Sequence, residues 1–119
     1  MRYIILIYDD EKAFEKRSQA DGDKMFGAYM QYTKDMVDAG VMRAGDPLKP
    51  STTATTVRLR GGKTLTTDGP FAETKEQLGG YYIIDVPNLD EALKWAAKCP
   101  SAAAGSIEVR PVLDMPKPA

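Results

Sequence analysis

The chain has no histidine and a single cysteine, Cys99, in 119 residues. Without histidine, a Ser-His-Asp or Cys-His catalytic system, a His-ligated zinc and a His-bound haem are all excluded. One cysteine closes no internal disulfide and makes no metal knuckle, so the chain suits a reducing compartment. Neither sign of charge is in surplus: Lys plus Arg total 16 against 17 for Asp plus Glu, a net charge of -1. A dedicated nucleic-acid binder needs an excess of basic charge to neutralise phosphates, and none is present. Long apolar runs are missing as well. The opening run Tyr3-Ile4-Ile5-Leu6-Ile7-Tyr8 is too short for a signal peptide, and Asp9, Asp10 and Glu11 are the wrong flank for one. Nothing approaches the roughly 18 apolar residues of a transmembrane helix. A cytoplasmic protein is expected, with no membrane or nucleic-acid partner, no metal and no cofactor.

What is present fits one domain, with 43% hydrophobic residues. Tyr3 to Tyr8 is apolar without alternation, which reads as a strand covered on both faces. Met25, Phe26, Tyr29, Met30, Thr33, Met36 and Val37 recur at three- and four-residue steps. They predict an amphipathic helix that starts between Ser18 and Asp23 and stops at Gly40. The stripe reads as core, with a Met-rich partner groove as the alternative. Val41 to Thr55, rich in Gly, Pro, Ser and Thr, reads as mostly loop. Two short alternating strands around Gly61-Gly62 predict a hairpin, ended by Asp68-Gly69-Pro70. Glu73 to Gln77 is expected to form one helical turn. Tyr81 to Val86 is a second unalternating strand. Asn88 caps a helix with Leu89, Ala92, Leu93 and Ala96 as its apolar stripe, ended by Pro100. Ile107 to Leu113 is the last strand, an edge because of Pro111. Residues 1–114 form the domain, and 115–119 are read as a loose tail.

This order predicts an α+β chain of ferredoxin-like βαββαβ type, with the hairpin elaborating the second core strand. The two unalternating strands are the middle of the sheet. Both helices cover one face, because both crossovers are right-handed. Either Tyr3, Ile5, Ile7, Tyr82 and Ile84 or the opposite set then lies on the other face. That much apolar surface calls for a cover. A second copy in a two-fold homodimer is the simplest cover, and the loop at Asp46 to Thr55 is the alternative.

Asp68-Gly69-Pro70-Phe71-Ala72-Glu73-Thr74-Lys75-Glu76-Gln77-Leu78-Gly79-Gly80-Tyr81 resembles the signature of the DGPF group within the YCII-related family. The resemblance extends to the opening strand with Tyr8, to Ala44–Leu48, to Pro87–Trp95 and to Glu108–Val112. It implies a ferredoxin-like α+β fold that dimerises as an α+β barrel. Similar members often accompany extracytoplasmic-function sigma factors. Other members have a proposed His–Asp pair, which a chain without histidine cannot carry.

The resemblance and the residues together point to a homodimeric small-molecule-binding protein, with cofactor-free chemistry open, and a cavity near the DGPF loop. The alternative is a non-enzymatic accessory protein acting on a regulatory protein partner in sigma-factor-linked transcription. Asp68, Lys75 and Glu76 are the catalytic candidates, since a carboxylate beside a lysine in a cleft can move a proton or grip a polar ligand. Asp68 can equally close an Asx-type turn, with Gly69 supplying unusual dihedrals, Pro70 stiffening it and Phe71 plugging the core. Tyr8 and Tyr81, at the ends of the central strands, and Arg58, on the hairpin beside Arg60, complete the ligand-binding candidates. Arg58, Arg60 and Arg110 read equally as a solvated guard on edge strands. Asp9, Asp10 and Glu11 read as a solvated loop rather than a cation site. Cys99 reads as a small buried residue. Gly62-Lys63-Thr64 has the tail of a P-loop, but Val57 stands where its first glycine is required.

Overall fold

A computed structural model describes residues 1–116. Its main sheet has four antiparallel strands in the order β2-β5-β1-β6: β1 (Arg2–Asp9), β2 (Met42–Pro47), β5 (Gln77–Asp85) and β6 (Ser106–Pro111). The two unalternating runs are the adjacent middle strands, and Pro111 closes an edge strand, as the pattern requires. Helices α2 (Gln19–Asp38) and α3 (Leu89–Ala97) pack on one face. Ser18 caps α2 and Asn88 caps α3, each through its side-chain oxygen. Residues 117–119 of the expected tail lie outside the described residues. Among the described residues no helix is long and apolar enough to cross a membrane.

Strand pleating decides which side chains meet the helices. Tyr3, Ile5 and Ile7 of β1 and Tyr82 and Ile84 of β5 are buried beneath Tyr32 and Met36 of α2 and Ala92 of α3. Ile4, Leu6 and Ile83 fall on the open face. At about 25 cal/mol per Å² of apolar surface removed from water, the covered face supplies most of the stabilising burial.

Several expectations are corrected. The second core strand is β2, inside the stretch read as loop, and the hairpin is no part of the main sheet. Glycine and proline hid β2. A Cβ on Gly45 would stand 2.5 Å from the Tyr82 ring, so only glycine fits there, and Pro47 ends the strand on an edge. A short helix, α1 (Glu11–Lys16), follows β1 with no buried residue to mark it in the sequence; Asp10 caps it, accepting from the Lys12 N–H. Glu73 to Gln77 forms bends rather than a helical turn, because the Gln77 side chain bonds the Thr74 carbonyl at 2.5 Å while Gln77 itself enters β5. In α2, Tyr29, Tyr32 and Met36 pack onto the sheet, but Phe26, Met30 and Val37 remain exposed. In α3, Ala92 and Ala96 are buried, whereas Leu89 and Leu93 stay exposed.

The hairpin of β3 (Thr55–Arg60) and β4 (Lys63–Asp68) projects as a separate two-stranded arm. Val57, Leu59 and Leu65 on it are exposed. The arm makes the chain flat and wide, 51 × 48 × 19 Å, with a radius of gyration of 16.7 Å. A compact chain of this length has about 13–14 Å. Two strands without a covering layer are marginal in water, and among the described residues no layer covers this arm.

Gly105 governs how closely the link from α3 to β6 approaches β1. A Cβ there would collide with the Tyr8 carbonyl and stand 2.8 Å from the Asp9 carboxylate. Gly105→Ala is therefore expected to destabilise by about 1–3 kcal/mol or more. Gly27→Ala, in α2 with nothing within 4 Å of its Cβ position, is expected to stabilise by about 0.5–1 kcal/mol. Urea midpoints at one protein concentration check both, and a neutral Gly105→Ala would contradict the packing.

Candidate functional site

A cavity of about 470 Å³ lies between α2 and the helix-facing side of the sheet, closed at one end by α1 and the loop after β2. That volume is in the range of small-molecule sites. Its wall is mainly apolar: Ile7 from β1, Phe14 from α1, Met25, Phe26, Tyr29 and Met30 from α2, Leu48 and Pro50 from the loop, and Tyr82 from β5. Along α2 the apolar stripe divides between core and cavity wall. Met36 and Tyr32 reach the core, while Phe26 and Met30 overhang it. Thr33 Oγ1 and the Tyr82 hydroxyl, 2.8 Å apart, tie helix to sheet beside it. Glu11 holds the loop shut, accepting from the Ser51 N–H and Ser51 hydroxyl, each at 2.7 Å.

Asp9 is the buried acid on this wall, only 8% exposed. It continues the odd-numbered series Tyr3, Ile5, Ile7 along β1, so the pleat turns it inward. Its Oδ2 accepts from the Ser101 hydroxyl at 3.0 Å. Ser101 has one proton, and with that proton on Asp9 the Tyr29 hydroxyl, 2.5 Å from Ser101 Oγ, must donate to it. The Cys99 sulfur lies 3.4 Å from the Tyr29 oxygen and is left as that oxygen's donor. Cys99, Tyr29, Ser101 and Asp9 thus form one directed chain of hydrogen bonds ending on the carboxylate. Such chains strengthen one another in a low-dielectric interior.

Burial pushes the Asp9 carboxyl above the ordinary aspartate value. The Ser101 hydrogen bond works against that rise, nearby Glu76 adds to it, and Arg17 opposes it. Burial also raises the Tyr29 phenol and the Cys99 thiol, so both stay protonated and serve as donors. Asp9 is the buried carboxyl of this chain of hydrogen bonds and, unlike Tyr29 and Cys99, only an acceptor in it.

The residues singled out from the sequence are mostly elsewhere. Of them only Tyr81 lines the cavity, at its edge, where its hydroxyl donates to Asp46 at 2.8 Å. Tyr8 is on the open face of the sheet, with its hydroxyl 3.4 Å from Glu108. Arg58, Asp68 and Lys75 are exposed, on or beyond the arm. Phe71 is 79% exposed and plugs no core of its own chain. The turn after β4 is held by backbone: the Gly69 N–H donates to the Ala54 carbonyl at 2.6 Å, and Thr56 Oγ1 to the Gly69 carbonyl at 2.9 Å. Gly69 does supply the unusual dihedral, with φ of 97°. None of residues 68–71 lines the cavity. Glu76 lies near Asp9, where its carboxylate accepts from Ser106 at 2.7 Å.

Three adjacent acids look like solvated loop, but the structure buries the first of them, Asp9. The three have separate roles: Asp9 is buried, Asp10 caps α1 and Glu11 clamps Ser51. The available signal was parity, because Asp9 lies an even step from Ile5 and Ile7. Ser101 and Tyr29 carry no comparable signal, as their meeting depends on tertiary packing. Cys99 is buried, as read.

A raised pKa means that the folded state holds the Asp9 proton more tightly than the unfolded chain. Between 3.8 and the folded value, stability falls as pH rises, and above the folded value the whole contribution is lost. Asp9→Asn cannot ionise and keeps an acceptor for Ser101. It is expected to melt above the wild type at pH 7, with the gap closing as pH falls toward 3.8. Melting curves across pH check this; a wild type more stable than the variant at pH 7 would contradict it.

Comparison with known proteins agrees with the fold. The chain is 40% identical over 114 residues to an uncharacterised protein of Rhizobium meliloti (strain 1021), covering 94% of this chain and 92% of that one. Among solved structures it is similar to 5-chloro-2-hydroxyhydroquinone dehydrochlorinase from Burkholderia phenoliruptrix AC1100, in complex with 2,5-dihydroxybenzoquinone. The TM-score is 0.52 at 15% identity, covering 95% of this chain and 94% of that one, a likeness of fold. The pattern of the YCII-related domain matches residues 1–116, and the chain belongs to that family.

Proposed function

We propose that this protein binds a small, largely apolar organic molecule in the cavity under α2, and that Asp9 exchanges a proton with it. The observation that carries this reading is a buried carboxyl on the wall of a mainly apolar pocket. Keeping an acid there works against stability at neutral pH, and such groups concentrate at functional sites. Asp9 in its carboxylate form is a general base, and the Ser101 hydroxyl, itself held by Tyr29, fixes its orientation. No cofactor is needed for a proton transfer of this kind. The structural neighbour's complex with 2,5-dihydroxybenzoquinone supports a compact ring as the class of occupant.

The working unit we propose is a homodimer. Two surfaces of one chain lack cover: the open sheet face with Ile4, Leu6 and Ile83, and the arm with Val57, Leu59 and Leu65. A two-fold pairing covers both without any other protein and closes on itself. The exposed Phe71 at the root of the arm belongs to the same surface. The accessory-protein reading rests on resemblance alone.

Sedimentation equilibrium at micromolar concentration is expected to report a dimer, with an interface on the order of 2,000 Å² or more in total. Leu59→Asp loses two buried leucines per dimer and is expected to weaken association by about 100-fold or more. A wild-type monomer would overturn the assembly. For the site, a screen of small ring compounds, 2,5-dihydroxybenzoquinone among them, is expected to shift the amide resonances of Ile7, Asp9 and Tyr29. Hits that instead perturb Asp68 to Lys75 and leave the cavity silent would overturn its placement.

A further inference from the structure

The cavity's charged groups are not equivalent. Asp9 is engaged by Ser101, Glu11 by Ser51 and Asp46 by Tyr81. Arg17 is the one cationic side chain on the wall among the described residues, and it makes no ion pair with any of them. It is nevertheless held in place. Its backbone ends α1, with its N–H donating to the Phe14 carbonyl at 3.2 Å, and its guanidinium lies 4.4 Å from the centre of the Phe14 ring. Gly22, at the start of α2, leaves room for it: a Cβ there would stand 3.4 Å from the guanidinium Nε. Stacking on a ring face leaves the N–H edges of a guanidinium free, and those edges match a carboxylate two bonds at a time. Arg17 is exposed at the rim, whereas Asp9 is buried.

We infer that the ligand is a carboxylate on a compact apolar body, its anionic end bound by Arg17 at the rim and its other end turned toward Asp9. This rests on the cavity being the binding site, and it adds the ligand's charge and orientation. Three acids on the same wall repel an anion everywhere except at Arg17, so the one cation also fixes which end enters first. Arg17 acts here as a specificity-determining residue.

The test is NMR titration of the full chain with benzoate and 2-naphthoate against their neutral amides, benzamide and 2-naphthamide. The carboxylates are expected to bind about 10- to 100-fold more tightly than the amides, the strength of hydrogen bonds to a charged group. Arg17→Met is expected to erase that preference while the amides bind as before, and Arg17→Lys to restore part of it. Unchanged melting temperatures for both variants confirm that the fold is intact. Equal binding of acids and amides to the wild type, or a preference that survives Arg17→Met, overturns the inference and leaves the cavity standing. Failure of all four probes to bind overturns both.

Discussion

The alternation of β1 is the constraint on which the rest depends. A strand in the middle of a sheet sends every second side chain to the same face. In β1 that face takes Tyr3, Ile5 and Ile7 beneath the helices and then, with no change of step, Asp9. The same burial that builds the core thus carries a carboxyl out of water at the strand's end. A buried charge must be paired, hydrogen-bonded or neutralised. The fold supplies Ser101 and, behind it, Tyr29 and Cys99, while leaving one side of the carboxyl on an open cavity.

Two close approaches make this arrangement possible. Gly105 brings the link between α3 and β6 against the end of β1, and Ser101 lies in the short 3-10 turn (Pro100–Ala103) that leads into it. Gly45 lets the edge strand β2 slide under the Tyr82 ring, which is part of the cavity wall. The cavity lies beneath the part of the α2 apolar stripe that the core does not use. Tyr29 and Met36 are anchored, while Phe26 is 69% exposed and Met30 59% exposed, on the far side of the opening.

Much of the fold was legible because hydrophobic period reports burial directly. Two runs without alternation became the two middle strands, and the caps at Ser18 and Asn88 fell where side-chain oxygens precede apolar stripes. β2 was not legible, since glycine and proline there answer to a neighbouring ring and a sheet edge rather than to local preference. The sequence candidates and the cavity fall in different places for a related reason. Asp68-Gly69-Pro70-Phe71 is conspicuous in sequence because a turn with φ of 97° at Gly69 demands particular residues, not because it lines the cavity. Asp9 looked ordinary among acids, and only its parity with Ile5 and Ile7 set it apart. Tyr29, Ser101 and Cys99 converge through packing between distant segments, which no local pattern encodes.

The arm and the open sheet face extend the same logic beyond one chain. Val57, Leu59 and Leu65 of the hairpin are exposed, and the proposed second copy would supply the layer above them. The claim at the centre remains the buried acid. Its most direct test is the titration of the Asp9 side-chain carboxyl followed by its own carbon resonance. The account predicts a midpoint above the ordinary aspartate value of 3.8, moving higher still in Ser101→Ala, where the opposing hydrogen bond is gone. A midpoint at or below 3.8, or one that falls in Ser101→Ala, would contradict it.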